Sequence, residues 1–300
     1  MILEGLFGRK KRESIFAGKT PEQIKEEWKG SVPEPADIRQ ERLVREEAER
    51  QEKAHNARRV KERAEWIVED LREPVENILV ELLPDIEAGS YSTIIGDDAS
   101  GRVPTIILAH VIKSIYEMKG YEPPIVRFLA GSTGLLREQN GTELAVTHTK
   151  ELKEQVEKIQ DTVKQHSEPK KALIVTDIID TGESVQTLLS ALKRNNWDAD
   201  VATIGTTDEA NLQQLSDLWG TRIVRGRGMG AMIYHDKPLS GVQKRKGDLF
   251  AAPHPEADPE RVRYGRERAR QIAAEVFQKY KVKNLDIHFE HGTGITYSPR

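Results

Sequence analysis

The stretch LIVTDIIDTGES, residues 173 to 184, carries an apolar run into Asp177 and Asp180, then into Thr181, Gly182, Glu183 and Ser184. In a parallel sheet the ligand sits beyond the carboxyl ends of the strands, where loops lead into helix N-termini. A turn of this composition suits an anion. Free backbone N–H groups and the positive end of the helix dipole face it, Gly182 permits close backbone approach, and the hydroxyls of Thr181 and Ser184 can donate to phosphate oxygens. Two carboxylates immediately upstream would repel a phosphate unless they face something else, such as ribose hydroxyls or a hydrated Mg2+. The alternative is structural: Asp180 caps the helix and Glu183, three residues on, completes a capping box. That accounts for two residues and leaves Asp177, the glycine and the hydroxyls unassigned.

A second stretch, YSTIIGDDASGRVPTIIL at 91 to 108, repeats the order strand, loop, helix. Gly96, Ser100 and Gly101 fall in the loop, and Pro104 suits a helix start. Arg102 supplies a positive charge there. Asp97 and Asp98 would meet an anion only through Mg2+, or else point away. Taken alone, the segment also reads as a Gly-containing turn with Asp as helix cap. Farther on, Arg225 and Arg227 stand in RGRGMG, which lacks the following helix pattern of a dinucleotide fingerprint. Tyr234, His235 and Asp236 are positional candidates only. His288 and His291, in HFEH, have a metal-like spacing without a helix pattern or a third ligand. Arg263, Arg266 and Arg270 form a stripe able to touch nucleic acid or phosphate, although a charge run is usually a solvated face.

The elements that must position these groups are legible from apolar periodicity. Short apolar runs at 91 to 96, 124 to 131, 172 to 177, 199 to 205 and 221 to 226 alternate with helical patterns, which indicates a parallel sheet of about five strands in a doubly wound α/β fold. Ile107, Leu108, Val111, Ile112 and Ile115 share one helical face, as do Val185, Leu188, Leu189 and Leu192. Leu152, Val156, Ile159 and Val163 form a third stripe inside an excursion, 132 to 170, between the second and third strands. Residues 1 to 36, with GRKKR at 8 to 12, have too little apolar surface to offset ordering and read as a loose tail. Residues 37 to 84 read as a charged helical extension interrupted at Pro74 and stopped at Pro84. The core is expected over 85 to 236, and a linker and C-terminal helix over 237 to 300, with Ala269, Ile272, Ala273, Val276, Phe277 and Tyr280 facing inward.

LIVTDIIDTGES resembles the phosphoribosyl-diphosphate (PRPP) binding motif of the type I phosphoribosyltransferases, and the extension QTLLSAL, 186 to 192, is most similar to the hypoxanthine-guanine branch. The resemblance implies that Asp177 holds the ribose hydroxyls, with an indirect part in metal binding. It implies that Asp180 lies near the reacting base, and that Thr181, Gly182, Glu183 through its backbone, and Ser184 cradle the 5'-phosphate. YSTIIGDDASGR resembles the pyrophosphate loop of the same family, which assigns Gly96, Ser100, Gly101 and Arg102 to the leaving group. The sequence departs from the family at Thr176, where the first acid of a pair usually stands. The resemblance covers about 85 to 236, and the excursion at 132 to 170 occupies the place of the family's mobile loop. Its implications are an Mg2+-dependent transferase that moves the 5-phosphoribosyl group from PRPP to a nitrogenous base or related acceptor with release of pyrophosphate, the partners being PRPP and a nitrogenous base or nucleotide. The alternative is a non-catalytic PRPP- or nucleotide-sensing protein on the same fold.

Composition narrows the field further. At 300 residues and 37% hydrophobic the chain can bury a full core. With 32% charged residues and a formal net charge of -3, no global basic field for nucleic acid is indicated. The absence of cysteine removes disulfides, thiolate nucleophiles and Cys-ligated zinc together. No apolar run approaches the roughly 20 residues of a membrane span, and MILEGLF lacks the flanks of a secretory signal, so a cytoplasmic location without membrane partners is expected. Homo-oligomer formation is left open.

Overall fold

A run of strong helix formers builds the first element, α1, over Ala36–Glu69. The computed structural model of the chain describes residues 20, 22, 36–97, 99, 101–131, 141–166, 170–227, 237–243 and 250–290. The chain divides into two units, Met1–Asn56 and Ala57–Arg300, and α1 begins in one and ends in the other. In the first unit the described helix is exposed, and its side chains bond within their own turns. Arg42 donates to Glu46 at 3.1 Å, Arg45 to Glu49 at 3.0 Å, and Gln51 to Glu47 at 3.2 Å. Such pairs supply about 0.2–0.5 kcal/mol each, which supports a helix that has no apolar face to bury. The tail assigned to residues 1 to 36 lies almost wholly outside the described residues.

In the second unit the same helix changes character, because Ala64, Ile67 and Val68 fall on one face and are buried. The charged extension read over 37 to 84 therefore contributes core residues from Ala64 onward. After a turn at Asp70 and Leu71, α2 runs over Arg72–Glu87 with Val75, Ile78, Leu79, Leu82 and Ile86 buried. Pro84 does not stop α2, which continues to Glu87. The proline forfeits only the bond to the carbonyl of Val80, on the exposed side, and its own carbonyl still accepts from Ala88 at 3.1 Å.

The sheet elements follow in chain order. β1 is Tyr91–Asp97, α3 is Arg102–Lys119, β2 is Ile125–Leu129, α4 is Gly141–His166 and β3 is Lys171–Ile179. Then α5 is Glu183–Arg194, β4 is Ala199–Thr206, α6 is Glu209–Trp219 and β5 is Ile223–Arg225. A 3-10 turn at Lys237–Ser240 leads to β6, Val242–Gln243, then β7, Ala252–Pro253, and α7, Pro259–Glu290. The large sheet is five-stranded and parallel, in the order β2-β1-β3-β4-β5, while β6 and β7 pair antiparallel. This is the doubly wound α/β architecture expected from the alternation of apolar runs.

Each face of the sheet has its own core. Ile94, Leu173, Val175, Ala202 and Val224 pack with α2, α3 and α7, while Ile95, Ile174 and Val201 pack with α4, α5 and α6. The stripe Leu152, Val156, Ile159 and Val163 is buried, so α4 is a packed layer of the fold. At the amino end of the strands a polar network closes the sheet. Tyr91 Oη donates to Asp200 at 2.7 Å, and Tyr116 Oη accepts from the Tyr91 amide at 2.8 Å. Burial pushes the Tyr116 phenol up to about 12, so it stays protonated and structural. Among the described residues no helix is long and apolar enough to cross a membrane.

Candidate functional site

The strand order reverses between β1 and β3: the chain leaves β1 for β2 on one side, and β3 continues to β4 and β5 on the other. At such a switch the loops beyond the strands part and leave a crevice at their carboxyl ends. Both sequence clusters open there, one after β1 and one after β3.

The turn after β3 is Asp180, Thr181 and Gly182, and α5 begins at Glu183. Gly182 has φ +76°, a conformation that costs any L side chain energy, and it is the residue from which α5 starts. Asp180 does not cap α5, so the capping-box alternative is corrected: Asp180 Oδ1 accepts from Thr207 Oγ1 at 2.7 Å instead. Gly182 brings no side chain to cap α5, but Thr181 Oγ1 accepts from the Glu183 amide at 3.5 Å, and Gly101, from which α3 starts, likewise brings none. The contrast is α6, where Asp208 Oδ1 accepts from the Ala210 amide at 3.0 Å. The two helices that flank the switch thus start from glycines with positively polarised ends, whereas the neighbouring helix starts from an aspartate cap.

The turn is braced from β4 and α6, which sequence reasoning missed. Thr206 Oγ1 donates to the Ile179 carbonyl at 2.9 Å, and Asn211 Nδ2 donates to the Asp180 carbonyl at 3.3 Å. A Cβ built on Gly182 would stand 2.8 Å from the Trp219 ring and 3.2 Å from Leu215. The glycine is therefore required by backbone conformation and by the buried Trp219 beneath it, rather than by the open side of the cup. Thr-Thr-Asp at the end of an apolar run was the available signal for a helix start there; its contact with Asp180 had no local signature. Gly131, past the end of β2, is also at this turn, since a Cβ there would run into the Ser184 carbonyl.

The residues assigned to the first loop are distributed differently from the reading. Gly96 lies inside β1, buried, where a Cβ would meet Phe128 at 2.6 Å and Thr105 Oγ1 at 2.7 Å. Gly101 fits between strands, because a Cβ there would meet the Val175 carbonyl at 2.6 Å and the Asp97 carbonyl at 2.8 Å. Arg102 opens α3, half-buried, with its guanidinium 4.5 Å from the centre of the Phe128 ring. Asp98 and Ser100 lie outside the described residues.

Two carboxylates are buried toward the carboxyl ends of β1 and β3. Asp97 is 4% exposed, and its Oδ2 accepts from Thr176 Oγ1 at 3.5 Å across the β1–β3 pair. Asp177 is 1% exposed, with Oδ1 accepting from the Ile178 amide at 2.7 Å. A ribose contact from Asp177 requires that carboxylate to turn outward. Mg2+ is the metal implied by the resemblance, but among the described residues no group of three or more His, Cys, Asp or Glu side chains could hold a metal. The residues do not fit a metal held by the protein alone; they fit one carried by a diphosphate, whose oxygens and waters complete its shell.

The remaining candidates do not join the site as described. Arg225 pairs with Glu209 at 2.5 Å, and exposed Arg227 sits at φ +63° just past β5. Tyr234, His235, Asp236 and His291 lie outside the described residues. The backbone of α7 includes His288, so a helix does run through HFEH up to Glu290. No known family model matches this chain, and no curated protein matches it.

Proposed function

We propose that this protein binds PRPP and transfers its 5-phosphoribosyl group to a nitrogenous acceptor, in the manner of the type I phosphoribosyltransferases that its β3 motif resembles. The observation that carries the reading is Gly182: a left-handed glycine at the start of α5, directly after a strand at the β1/β3 switch. The 5'-phosphate is assigned to the amides of Gly182, Glu183 and Ser184 and to the hydroxyls of Thr181 and Ser184, and the diphosphate to the loop that ends at Gly101 and Arg102.

In this reaction the acceptor nitrogen forms a bond to C1' as the bond from C1' to the diphosphate oxygen breaks. The nitrogen's proton leaves to a base, and the bond electrons leave with pyrophosphate. Asp180 is the exposed carboxylate beside the turn, and the bond from Thr207 uses one of its several lone-pair directions, so it retains capacity to accept that proton. Mg2+ bound to the diphosphate would neutralise leaving-group charge. Catalysis then rests mainly on positioning and charge neutralisation.

The test is incubation with PRPP, Mg2+ and a panel of bases while pyrophosphate is monitored; release that depends on a base supports the transferase. A second reading, a PRPP- or nucleotide-binding sensor without turnover, is favoured by Thr176. That residue is 1% exposed and donates to Asp97, so position 176 supplies no second acid beside the buried Asp177. PRPP binding without base-dependent release would select it.

A further inference from the structure

The arginines of α7 fall into two kinds. Arg263 pairs with Glu267 at 3.4 Å, and Arg268 pairs with Glu275 at 3.1 Å and with Glu69. Arg266 and Arg270, on the side that meets α3, have no carboxylate within ion-pair distance among the described residues, and Arg266 is half-buried. α3 and α7 lie side by side over buried Ala109, Ala269 and Ala273. They run in the same direction, for Lys119 at the end of α3 and Tyr280 late in α7 both reach Glu87. Their beginnings are together as well, near the carboxyl ends of the strands, and the charge of Arg102 acts on Arg266 there. Burial first, then Arg102 and Arg270, hold the Arg266 guanidinium below the usual arginine range. Arg270 and Lys113 act in the same way on His110.

Arg266 and Arg270, with no carboxylate beside them among the described residues, cost the fold stability, since each disfavours the charge of the next. Such a cluster gains when an anion enters it. The geometry points to a diphosphate-binding site in which α7, through Arg266 and Arg270, joins Arg102 of α3. The α7 residues come from outside the segment that carries the resemblance. The assignment rests on the proposed function only in naming the diphosphate as the leaving group of PRPP. A planar guanidinium fork suits two adjacent phosphate oxygens, and the ring of Phe128 holds Arg102 from behind.

Calorimetric titration of the full chain with inorganic pyrophosphate, ribose 5-phosphate and PRPP tests this. Arg266→Gln and Arg270→Gln are each expected to weaken pyrophosphate and PRPP by about tenfold or more while leaving ribose 5-phosphate unchanged. Arg266→Lys should recover part of the loss. The ligand-free melting temperature should hold or rise in Arg266→Gln, because a like charge has been removed; a purely structural arginine would lower it. Wild-type pyrophosphate affinity in both glutamine variants would overturn the inference and leave the phosphate cup standing. Pyrophosphate binding that depends on Arg266, in a protein that takes neither ribose 5-phosphate nor PRPP, would keep the α7 site and remove the phosphoribosyl reading.

Discussion

Thr207 Oγ1 donates a 2.7 Å hydrogen bond to Asp180 Oδ1, which ties the loop after β4 to the turn after β3. The bond orients an exposed carboxylate beside the turn without consuming it. On the transferase reading, Asp180→Asn should lower kcat by about 100-fold or more with little change in PRPP affinity, since it removes a proton acceptor and not a phosphate contact. Thr207→Val should give a smaller fall in kcat, because the carboxylate persists but is no longer held. Steady-state kinetics beside PRPP titration separates the two effects. Unchanged turnover in Asp180→Asn would remove Asp180 from the mechanism.

Gly182 is constrained twice, by φ +76° and by Trp219 at 2.8 Å from where a Cβ would stand. Gly182→Ala is therefore expected to cost about 1–2 kcal/mol in the backbone alone, and more once Trp219 must move. Gly182→Val should cost more again and should weaken phosphate binding by displacing the turn, not by filling the cup. Urea denaturation reads the stability loss directly. A wild-type midpoint in Gly182→Ala would mean that the turn relaxes without penalty, and the turn could not then be a preorganised phosphate cradle.

The fold and the site were legible to different extents, for a physical reason. The buried stripes at Ile107 to Ile115, Leu152 to Val163 and Val185 to Leu192 are local periodicities, and they specify which helix faces meet the sheet. The turn at 180 to 182 was visible because a glycine and hydroxyls cluster within a few residues. Its bracing was not, since Thr207, Asn211 and Trp219 come from a later crossover and reach the turn only through the β3–β4 pairing. Gly101 lies in the turn as read, fixed there by its approach to the backbone of β1 and β3, but Gly96, which also looked like a loop glycine, lies in a strand against Phe128. The continuation of α2 past Pro84 had a similar cause, for burial of Leu82 and Ile86 offsets one lost backbone bond.

Thr176 makes the departure from the family pattern intelligible. It faces Asp97 across the β1–β3 pair, and both are buried. An acid at 176 would set two carboxylates at hydrogen-bond distance in a low-dielectric site, where both cannot ionise cheaply. Thr176→Asp is accordingly expected to destabilise the protein at neutral pH and to recover stability as pH falls, when one carboxyl of the pair is protonated. Asp97→Asn in the Thr176→Asp background should restore much of the loss, and a double-mutant cycle from chemical denaturation measures that coupling. Additive losses would mean that the two side chains do not interact.

His110 gives the cationic cluster a pH signature. Desolvation, then the charges of Arg270 on α7 and Lys113 on α3, hold its imidazole below the ordinary histidine range. As pH falls through about 6.5, the unfolded chain takes up a proton that folded His110 still refuses, so this residue makes stability fall with acidification. Above that range it contributes nothing. His110→Gln should therefore flatten the pH dependence of the melting temperature between about pH 7 and 5.5, and should raise the melting temperature at the acid end relative to wild type. A diphosphate seated among Arg102, Arg266 and Arg270 would reverse the local field and favour the imidazolium. Pyrophosphate binding near pH 6 should then take up a proton, seen as a binding enthalpy that varies with the ionisation heat of the buffer and loses that variation in His110→Gln. A pH slope identical in wild type and His110→Gln would show that this histidine does not sense the cluster.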